Sequence, residues 1–246
     1  MRLLVSVRSA VEVSAAVAGG ADVVDAKEPS RGPLGPVSPA TLRAIAGRLP
    51  PGVPLSVALG DPTDAGSVAA AIAAVDGLDP RPREAYVKLG LAGARDRTGA
   101  EELVARAVAA AGGAALRPGV IVVAYADHAA AGALPRDVVS RLAAEGGVRG
   151  VLLDTCVKDG RDLFSHVDRA ELREWVLDAK RAGLQVAVAG SLTGDGFRGL
   201  AGLPVDVVGV RGAACLGGRV GQVVEEKVRL VKLALEGVRQ VSVASV

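Results

Sequence analysis

Charged side chains occur at the ends of three aliphatic segments that the sequence predicts to be buried strands. Asp25 and Lys27 close the second segment, Lys88 closes the fourth, and Asp154 ends the sixth, with Lys158 shortly after it. Residues two apart on a strand point to the same side, so Asp25 and Lys27 share a face. Buried charges are costly unless they are paired, so three lysines and two aspartates in one place indicate a functional site rather than packing.

The chemistry that this cluster suits is attack of a lysine amine on a carbonyl group. Burial lowers the pKa of a lysine, and Lys88 would lower that of Lys27 further, whereas Asp25 would oppose the change. The neutral amine is the form that adds to a carbonyl and gives a Schiff base. The alternative for Asp25 and Lys27 is a structural ion pair, and for Lys88 a solvated strand end. Lys158 could equally lie in a surface turn.

Two small-residue segments near the end of the chain predict a phosphate site. The seventh strand ends in Ala189-Gly190-Ser191-Leu192 and the eighth in Gly209-Val210-Arg211-Gly212-Ala213-Ala214-Cys215. Small residues let backbone N–H groups approach phosphate oxygens, and a hydroxyl or a guanidinium fork can add further donors. The predicted phosphate-binding residues are Gly190, Ser191, Arg211, Gly212 and Ala213.

Short aliphatic runs alternate with segments of helical character along the whole chain. The predicted strands are Leu3–Val7, Asp22–Lys27, Leu55–Leu59, Ala85–Leu89, Val120–Tyr125, Gly150–Asp154, Gln185–Ala189 and Val205–Val210. The predicted helices lie near Ala10–Ala18, Pro39–Arg48, Ser67–Val75, Glu101–Ala111, Arg136–Glu145, Arg169–Arg181, Gly196–Ala201 and Val220–Val238. Continuous aliphatic strands separated by helices are typical of a buried parallel sheet.

Eight strand–helix units predict an α/β fold, a single (β/α)8 TIM barrel that spans residues 1–246. The length of 246 residues is close to the roughly 250 typical of this fold. An open doubly wound sheet would require a glycine-rich dinucleotide turn after the first strand, and Val7-Arg8-Ser9-Ala10 is not one. In a barrel, the carboxyl ends of the strands form the active-site mouth, and the loops after strands seven and eight hold phosphate.

Composition excludes several other classes of protein. The net charge of +2 and an aromatic content of 2% argue against nucleic-acid binding. No apolar stretch approaches the roughly 20 residues of a membrane span, so we expect a cytoplasmic protein without a membrane partner. The two cysteines lack metal-ligand spacing, and no metal is expected. His128 and His166 lie in loops without visible partners, and Asp61 and Asp127 either line the mouth or start helices.

The motifs together resemble those of the (5-formylfuran-3-yl)methyl phosphate synthase family of methanofuran biosynthesis. The resemblance runs from the first strand to the last helix. It is carried by Val23-Val24-Asp25-Ala26-Lys27-Glu28-Pro29 with Gly32-Pro33-Leu34-Gly35, Tyr86-Val87-Lys88-Leu89-Gly90, Leu153-Asp154-Thr155 with Lys158-Asp159-Gly160, Ala189-Gly190-Ser191, and Val208-Gly209-Val210-Arg211-Gly212-Ala213-Ala214-Cys215. The segment after strand three, residues 60–67, departs from the family pattern.

The resemblance implies a cofactor-free enzyme that condenses two molecules of glyceraldehyde 3-phosphate into a furan aldehyde phosphate, with loss of phosphate and water. It implies that Lys27 is the Schiff-base lysine, that Asp25, Lys88 and Asp154 assist proton transfers, and that Lys158 belongs to the same site. A different Schiff-base aldolase, a phosphosugar isomerase and a catalytically silent phosphometabolite-binding barrel are the alternatives. The sequence does not fix the oligomeric state, and a homo-oligomer is among the states it allows.

Overall fold

The computed structural model describes residues 1–94 and 96–243 and has a closed barrel of eight parallel strands. The barrel strands, in chain order and in spatial order, are β1 (Arg2–Val7), β2 (Val23–Ala26), β3 (Leu55–Ala58), β4 (Ala85–Gly90), β5 (Gly119–Tyr125), β6 (Gly150–Asp154), β7 (Gln185–Val188) and β8 (Val207–Val210). β8 pairs with β1 and closes the ring. The predicted TIM barrel is therefore confirmed.

Helices connect the successive strands on the outside of the barrel. They are α1 (Ala10–Ala18), α2 (Pro39–Ala46), α3 (Ala65–Asp76), α4 (Arg97–Gly113), α5 (His128–Ala131), α6 (Arg136–Glu145), α7 (Arg169–Arg181), α8 (Gly194–Gly199) and α9 (Glu225–Val243). Side-chain caps fix several starts: the Asp64 carboxylate accepts from the backbone N–H of Ser67 at 2.8 Å, and Asp168 forms a capping box with Glu171. Such caps satisfy N–H groups that the helix itself leaves free.

Two apolar layers surround the strands. The larger layer packs one side of the barrel wall against the helices and includes Val5, Val87 and Leu153. The smaller layer fills part of the barrel interior and includes Tyr86, Val123 and Leu152. Alternating residues of a strand point to opposite faces, so β4, β5 and β6 contribute apolar side chains to both layers. The wall itself is almost entirely aliphatic, as expected for parallel strands buried on both sides.

The C-terminal part of the chain differs from the sequence expectation. The predicted helix Val220–Val238 begins only at Glu225, because the preceding residues form a small antiparallel hairpin of β9 (Cys215–Leu216) and β10 (Gln222–Val223). Gly217 and Gly218 adopt positive φ values of 82° and 74° and make the turn. The short helix α5 was also not predicted. Across the part of the chain that the structure describes, we find no helix with the length and hydropathy needed to cross a membrane.

Candidate active site

A cavity of about 240 Å³ runs along the barrel axis up to the carboxyl ends of the strands. It reaches from Gln185, the first residue of β7, to Lys27 and Lys158 at the mouth. The space exists because the interior positions of several strands carry small residues, among them Ser56 and Gly209. Larger aliphatic side chains there would fill the interior, as they do in many barrels of this type.

The first buried ion pair of the site joins β2 and β4. Lys88 Nζ lies 2.7 Å from Asp25 Oδ2, and the Ser6 hydroxyl donates to the same oxygen at 2.7 Å. Burial alone would raise the pKa of Asp25, but the charges of Lys88 and Lys27 outweigh it and keep the pKa below its usual value. Asp25 Oδ1 is buried and has no hydrogen-bond partner among the described residues. Asp25 is therefore a buried carboxylate whose ion-pair partner is Lys88.

The second ion pair lies at the end of β6. Lys158 Nζ lies 2.9 Å from Asp154 Oδ1 and donates to the Thr155 hydroxyl at 3.0 Å. The backbone N–H of Thr155 also donates to Asp154 Oδ1 at 2.8 Å. Burial would raise the pKa of Asp154, but the charges of Lys158 and Lys27 lower it below its usual value. The sequence expectation that Lys158 belongs to the charged cluster agrees with this contact.

Lys27 lies within the electrostatic influence of both ion pairs and belongs to neither. Its side chain forms no hydrogen bond or ion pair with any residue in 1–94 and 96–243, although Lys27 is only 8% exposed. Burial, reinforced by the charge of Lys88, lowers the pKa of Lys27 from 10.5 to about 8; Asp154 and Asp25 oppose this decrease. The neutral amine is therefore far more populated near neutral pH than in an ordinary lysine, and Lys27 lines the cavity.

The two small-residue turns lie at the same mouth. Gly190 has a φ of +106° and Ser191 a φ of +53°, so the chain turns sharply away from β7. Gly212 to Ala214 form a single 3-10 turn directly after Arg211. Gly190, Ser191, Gly212 and Ala213 all line the cavity. The structure thus brings both predicted turns to one wall; their binding of phosphate stays a prediction.

The Arg211 side chain does not have the role that the sequence indicated. Its guanidinium donates to both carboxylate oxygens of Glu12, at 2.5 and 3.0 Å, and to the backbone carbonyls of Ser6, Arg219 and Gly221. A guanidinium has five N–H donors, and all five are used by these contacts. The prediction that Arg211 binds phosphate is therefore wrong. Its side chain is buried and links α1, the end of β8 and the β9–β10 hairpin as a structural clamp.

A guanidinium that sequence reasoning missed lies nearby. Arg219, in the turn of the β9–β10 hairpin, lines the cavity and donates to the carbonyls of Pro29 at 2.5 Å and Gly32 at 2.6 Å. Its position follows from the β9–β10 hairpin, which replaces the first turns of the predicted helix Val220–Val238. An arginine inside Gly217-Gly218-Arg219-Val220-Gly221 was the available signal, because glycines on both sides predict a turn rather than a helix.

The remaining acidic candidates hold loops at the rim. The Asp61 carboxylate accepts from the Tyr125 hydroxyl at 2.9 and 3.0 Å and from the N–H of Ala92 at 3.0 Å. Burial raises the pKa of Asp61. Asp127 accepts from the backbone N–H groups of Cys156 and Val157 and so fixes the loop after β6. Asp127 directly precedes α5 but its carboxylate makes no capping hydrogen bond there, and the cap of α3 is Asp64 rather than Asp61.

The other candidates have different outcomes. His128 starts α5 and His166 follows a 3-10 turn; both are half-buried rather than exposed. Cys215 is buried in the core. Within residues 1–94 and 96–243, no group of three or more His, Cys, Asp or Glu side chains has the arrangement of a metal site.

Other proteins with solved structures share this fold, which independently supports the barrel. Phosphoribosyl anthranilate isomerase from Thermus thermophilus aligns with a TM-score of 0.61 at 17% identity, covering 97% of this chain and 100% of that one. KGPDC from Streptococcus mutans aligns with a TM-score of 0.58 at 14% identity, covering 96% and 97%. At these identities, the likeness concerns the fold alone.

Comparison of sequences gives a more specific result. A protein of Methanothermobacter thermautotrophicus is 37% identical over 96% of this chain and 99% of its own length, and one of Methanocaldococcus jannaschii is 38% identical over 89% and 92%. Both are named (5-formylfuran-3-yl)methyl phosphate synthase. Residues 3–232 match the family model described as 4-HFC-P synthase. The chain therefore belongs to the 4-HFC-P synthase family, as its strand-end motifs predict.

Proposed function

We propose that this protein condenses two molecules of glyceraldehyde 3-phosphate into (5-formylfuran-3-yl)methyl phosphate, with Lys27 as the Schiff-base nucleophile. The names of the relatives support the product. One observation supports the nucleophile: Lys27 is the buried lysine of the cluster whose amine faces the cavity with neither a carboxylate nor a hydrogen-bond partner among the described residues. Lys88 and Lys158 each form an ion pair with an aspartate, and an amine that donates to a carboxylate is less available to attack a carbonyl.

The stoichiometry of the proposed reaction follows from atom balance. Two triose phosphates become one furan phosphate when one inorganic phosphate and two water molecules leave and no electrons are exchanged, so neither an oxidant nor a reductant is needed. Attack of the Lys27 amine on the aldehyde of one triose releases water and forms an imine, which hydrolysis reverses at the end. The protonated imine withdraws electrons and acidifies the neighbouring C–H bond. Elimination of phosphate and formation of the carbon–carbon bond both use this activated carbon.

The two ion pairs have different roles in this proposal. Asp154 and Lys158 line the cavity, so they exchange protons with the substrate directly. Asp25 is fully buried and lies behind Lys88, which itself reaches the cavity. Asp25 therefore acts through Lys88: it holds a positive charge beside Lys27, which favours the neutral amine before imine formation. The overall reaction breaks a carbon–oxygen bond to phosphate, so we propose a carbon–oxygen lyase acting on phosphates.

The turns after β7 and β8 bind one substrate phosphate. Both line the same side of the cavity as Arg219, and their small residues leave backbone N–H groups open to an anion. Gly212 lines the cavity without a side chain, and an added Cβ there would be in van der Waals contact with the backbone nitrogen of Arg219 at 3.7 Å. Room for an anion therefore exists where the fold usually binds one.

Reductive trapping tests the nucleophile. Borohydride added with glyceraldehyde 3-phosphate should inactivate the enzyme and add substrate-derived mass to the peptide that contains Lys27. Lys27→Arg keeps a positive charge but cannot form the imine, so we expect a loss of activity of at least about 10³-fold, or about 4 kcal/mol of transition-state stabilisation. A label confined to Lys88 or Lys158, or near-normal turnover by Lys27→Arg, would contradict the assignment.

Product analysis tests the reaction itself. Mass spectrometry and ultraviolet absorbance of the incubated mixture should show a furan aldehyde phosphate and released phosphate. A different Schiff-base aldolase would give an open-chain sugar phosphate, and an isomerase would give a product of unchanged mass.

A further inference from the structure

We propose that Arg219 is the phosphate-recognising cation of this site and that it binds the substrate phosphate together with the Gly190–Ser191 and Gly212–Ala213 turns. The inference rests on the proposed function, which it deepens by naming a residue. The structure excludes the arginine that the sequence favoured and presents a different one, carried by a different element.

The Arg219 guanidinium has hydrogen-bond donors that the described residues do not use. The Arg219 guanidinium makes one hydrogen bond through each terminal nitrogen, to the carbonyls of Pro29 and Gly32. Of the five N–H groups of a guanidinium, three remain. By comparison, Arg211 has none left. Arg219 can therefore still offer the paired N–H groups that phosphate oxygens accept.

The positive charge of Arg219 has no ion-pair partner among the described residues. Carbonyl oxygens accept hydrogen bonds but carry no net charge, and none of the described carboxylates forms an ion pair with Arg219. The side chain is nevertheless half-buried at the mouth of the cavity, and this burial lowers its pKa, although the charges of Asp154 and Glu28 oppose the decrease without forming an ion pair. A partly desolvated cation without a counterion is costly, and an anionic ligand removes that cost. The ligand that fits is a phosphate monoester.

Arg219 lies beside the two turns that are proposed to bind phosphate. The backbone nitrogen of Arg219 lies 3.7 Å from the point that a Cβ of Gly212 would occupy, so the hairpin turn packs directly beside the Gly212–Ala213 turn. Arg219 also lines the same cavity as Gly190 and Ser191. Its two bonds to Pro29 and Gly32 orient the guanidinium, because they hold the planar fork against the segment that follows Lys27. Little side-chain entropy then remains to be lost when the phosphate binds.

The test compares two aldehydes that differ only in the phosphate group. Borohydride trapping is measured against concentration with glyceraldehyde 3-phosphate and with glyceraldehyde, for the wild type and for Arg219→Met. We expect Arg219→Met to raise the half-saturating concentration of glyceraldehyde 3-phosphate about 30-fold, as expected for loss of a charge-assisted pair. Trapping with glyceraldehyde should not change. Arg141→Met is the control, because Arg141 is exposed on α6 and pairs with Asp137.

Other outcomes separate the competing explanations. Equal losses with both aldehydes would overturn the proposal, because they would show that Arg219 only holds the Pro29–Gly32 segment in place. No loss with either aldehyde would overturn it as well. If the wild type traps neither aldehyde, the Schiff-base proposal fails, and titration with inorganic phosphate decides on Arg219 alone. Weaker phosphate binding by Arg219→Met would then support its role, and equal binding would refute it.

Discussion

Replacement of Lys27 by methionine should abolish activity and make the protein more stable. Lysine and methionine are both unbranched, so the substitution keeps most of the buried volume. The folded state lowers the pKa of Lys27 from 10.5 to about 8, whereas the unfolded chain restores the usual value. The unfolded state therefore binds more protons between these two pH values. Folding carries a penalty that is fully present below pH 8 and disappears as the pH rises towards 10.5.

The size of the effect follows from the same pKa difference. At pH 7 the penalty is about 3 kcal/mol, and at pH 10 it falls to about 1 kcal/mol. Lys27→Met should therefore be more stable than the wild type by about 3 kcal/mol at pH 7, which corresponds to roughly 6–12 °C in Tm for a chain of this length. Urea unfolding with linear extrapolation, repeated between pH 7 and pH 10, measures the difference.

The same substitution at Lys88 is the matched control and should have the opposite sign. Lys88→Met leaves Asp25 as a buried carboxylate without its ion-pair partner, at a cost of about 3–5 kcal/mol. The reasoning is refuted if Lys27→Met is less stable than the wild type at pH 7, or if its advantage does not shrink as the pH rises. Either result would mean that the amine is well solvated or paired in the folded protein.

Three further predictions concern the same mouth. The rate of borohydride trapping at Lys27 should rise with pH up to about 8 and then level off, because only the neutral amine attacks the aldehyde; a flat profile from pH 6 to 9 would contradict the assigned pKa. Gly212→Val should weaken the binding of inorganic phosphate by roughly 2 kcal/mol or more while circular dichroism stays unchanged, and Ser191→Ala should have a smaller effect because its hydroxyl is one donor among several. Glu12→Ala should lower the free energy of unfolding by about 3–5 kcal/mol, since it strands the buried Arg211 guanidinium, whereas Glu225→Ala, at an exposed ion pair, should change it by less than about 1 kcal/mol; similar values for both would refute the clamp.

The fold was predictable because its signals are local. Each barrel strand is an aliphatic run that differs from its predicted bounds by at most two residues at either end, and parallel order follows from the alternation with helices. The clustering of Asp25, Lys88 and Asp154 at one mouth then follows from the topology alone, since the carboxyl ends of parallel strands meet at the same edge of a barrel.

The detailed pairing was not predictable because it depends on distant parts of the chain. Asp25 shares a face with Lys27 but forms its ion pair with Lys88, a choice that depends on the curvature of the barrel. Arg211 was assigned to phosphate because its partner, Glu12, lies 199 positions away in the sequence. Arg219 was missed for the related reason that the hairpin carrying it folds back across Pro29, 190 positions earlier.

The clamp between Glu12 and Arg211 also sets an order of assembly during synthesis. Glu12 is translated 199 residues before Arg211, and among the described residues its carboxylate accepts hydrogen bonds from the guanidinium of Arg211 and from the N–H groups of Arg8 and Val223. Until Arg211 has left the ribosome, this carboxylate has to stay hydrated, so α1 cannot dock permanently on the growing sheet. The barrel then closes, Glu12 becomes buried and the turn after β8 forms in a single step. A nascent chain consequently cannot hold substrate before the barrel is complete.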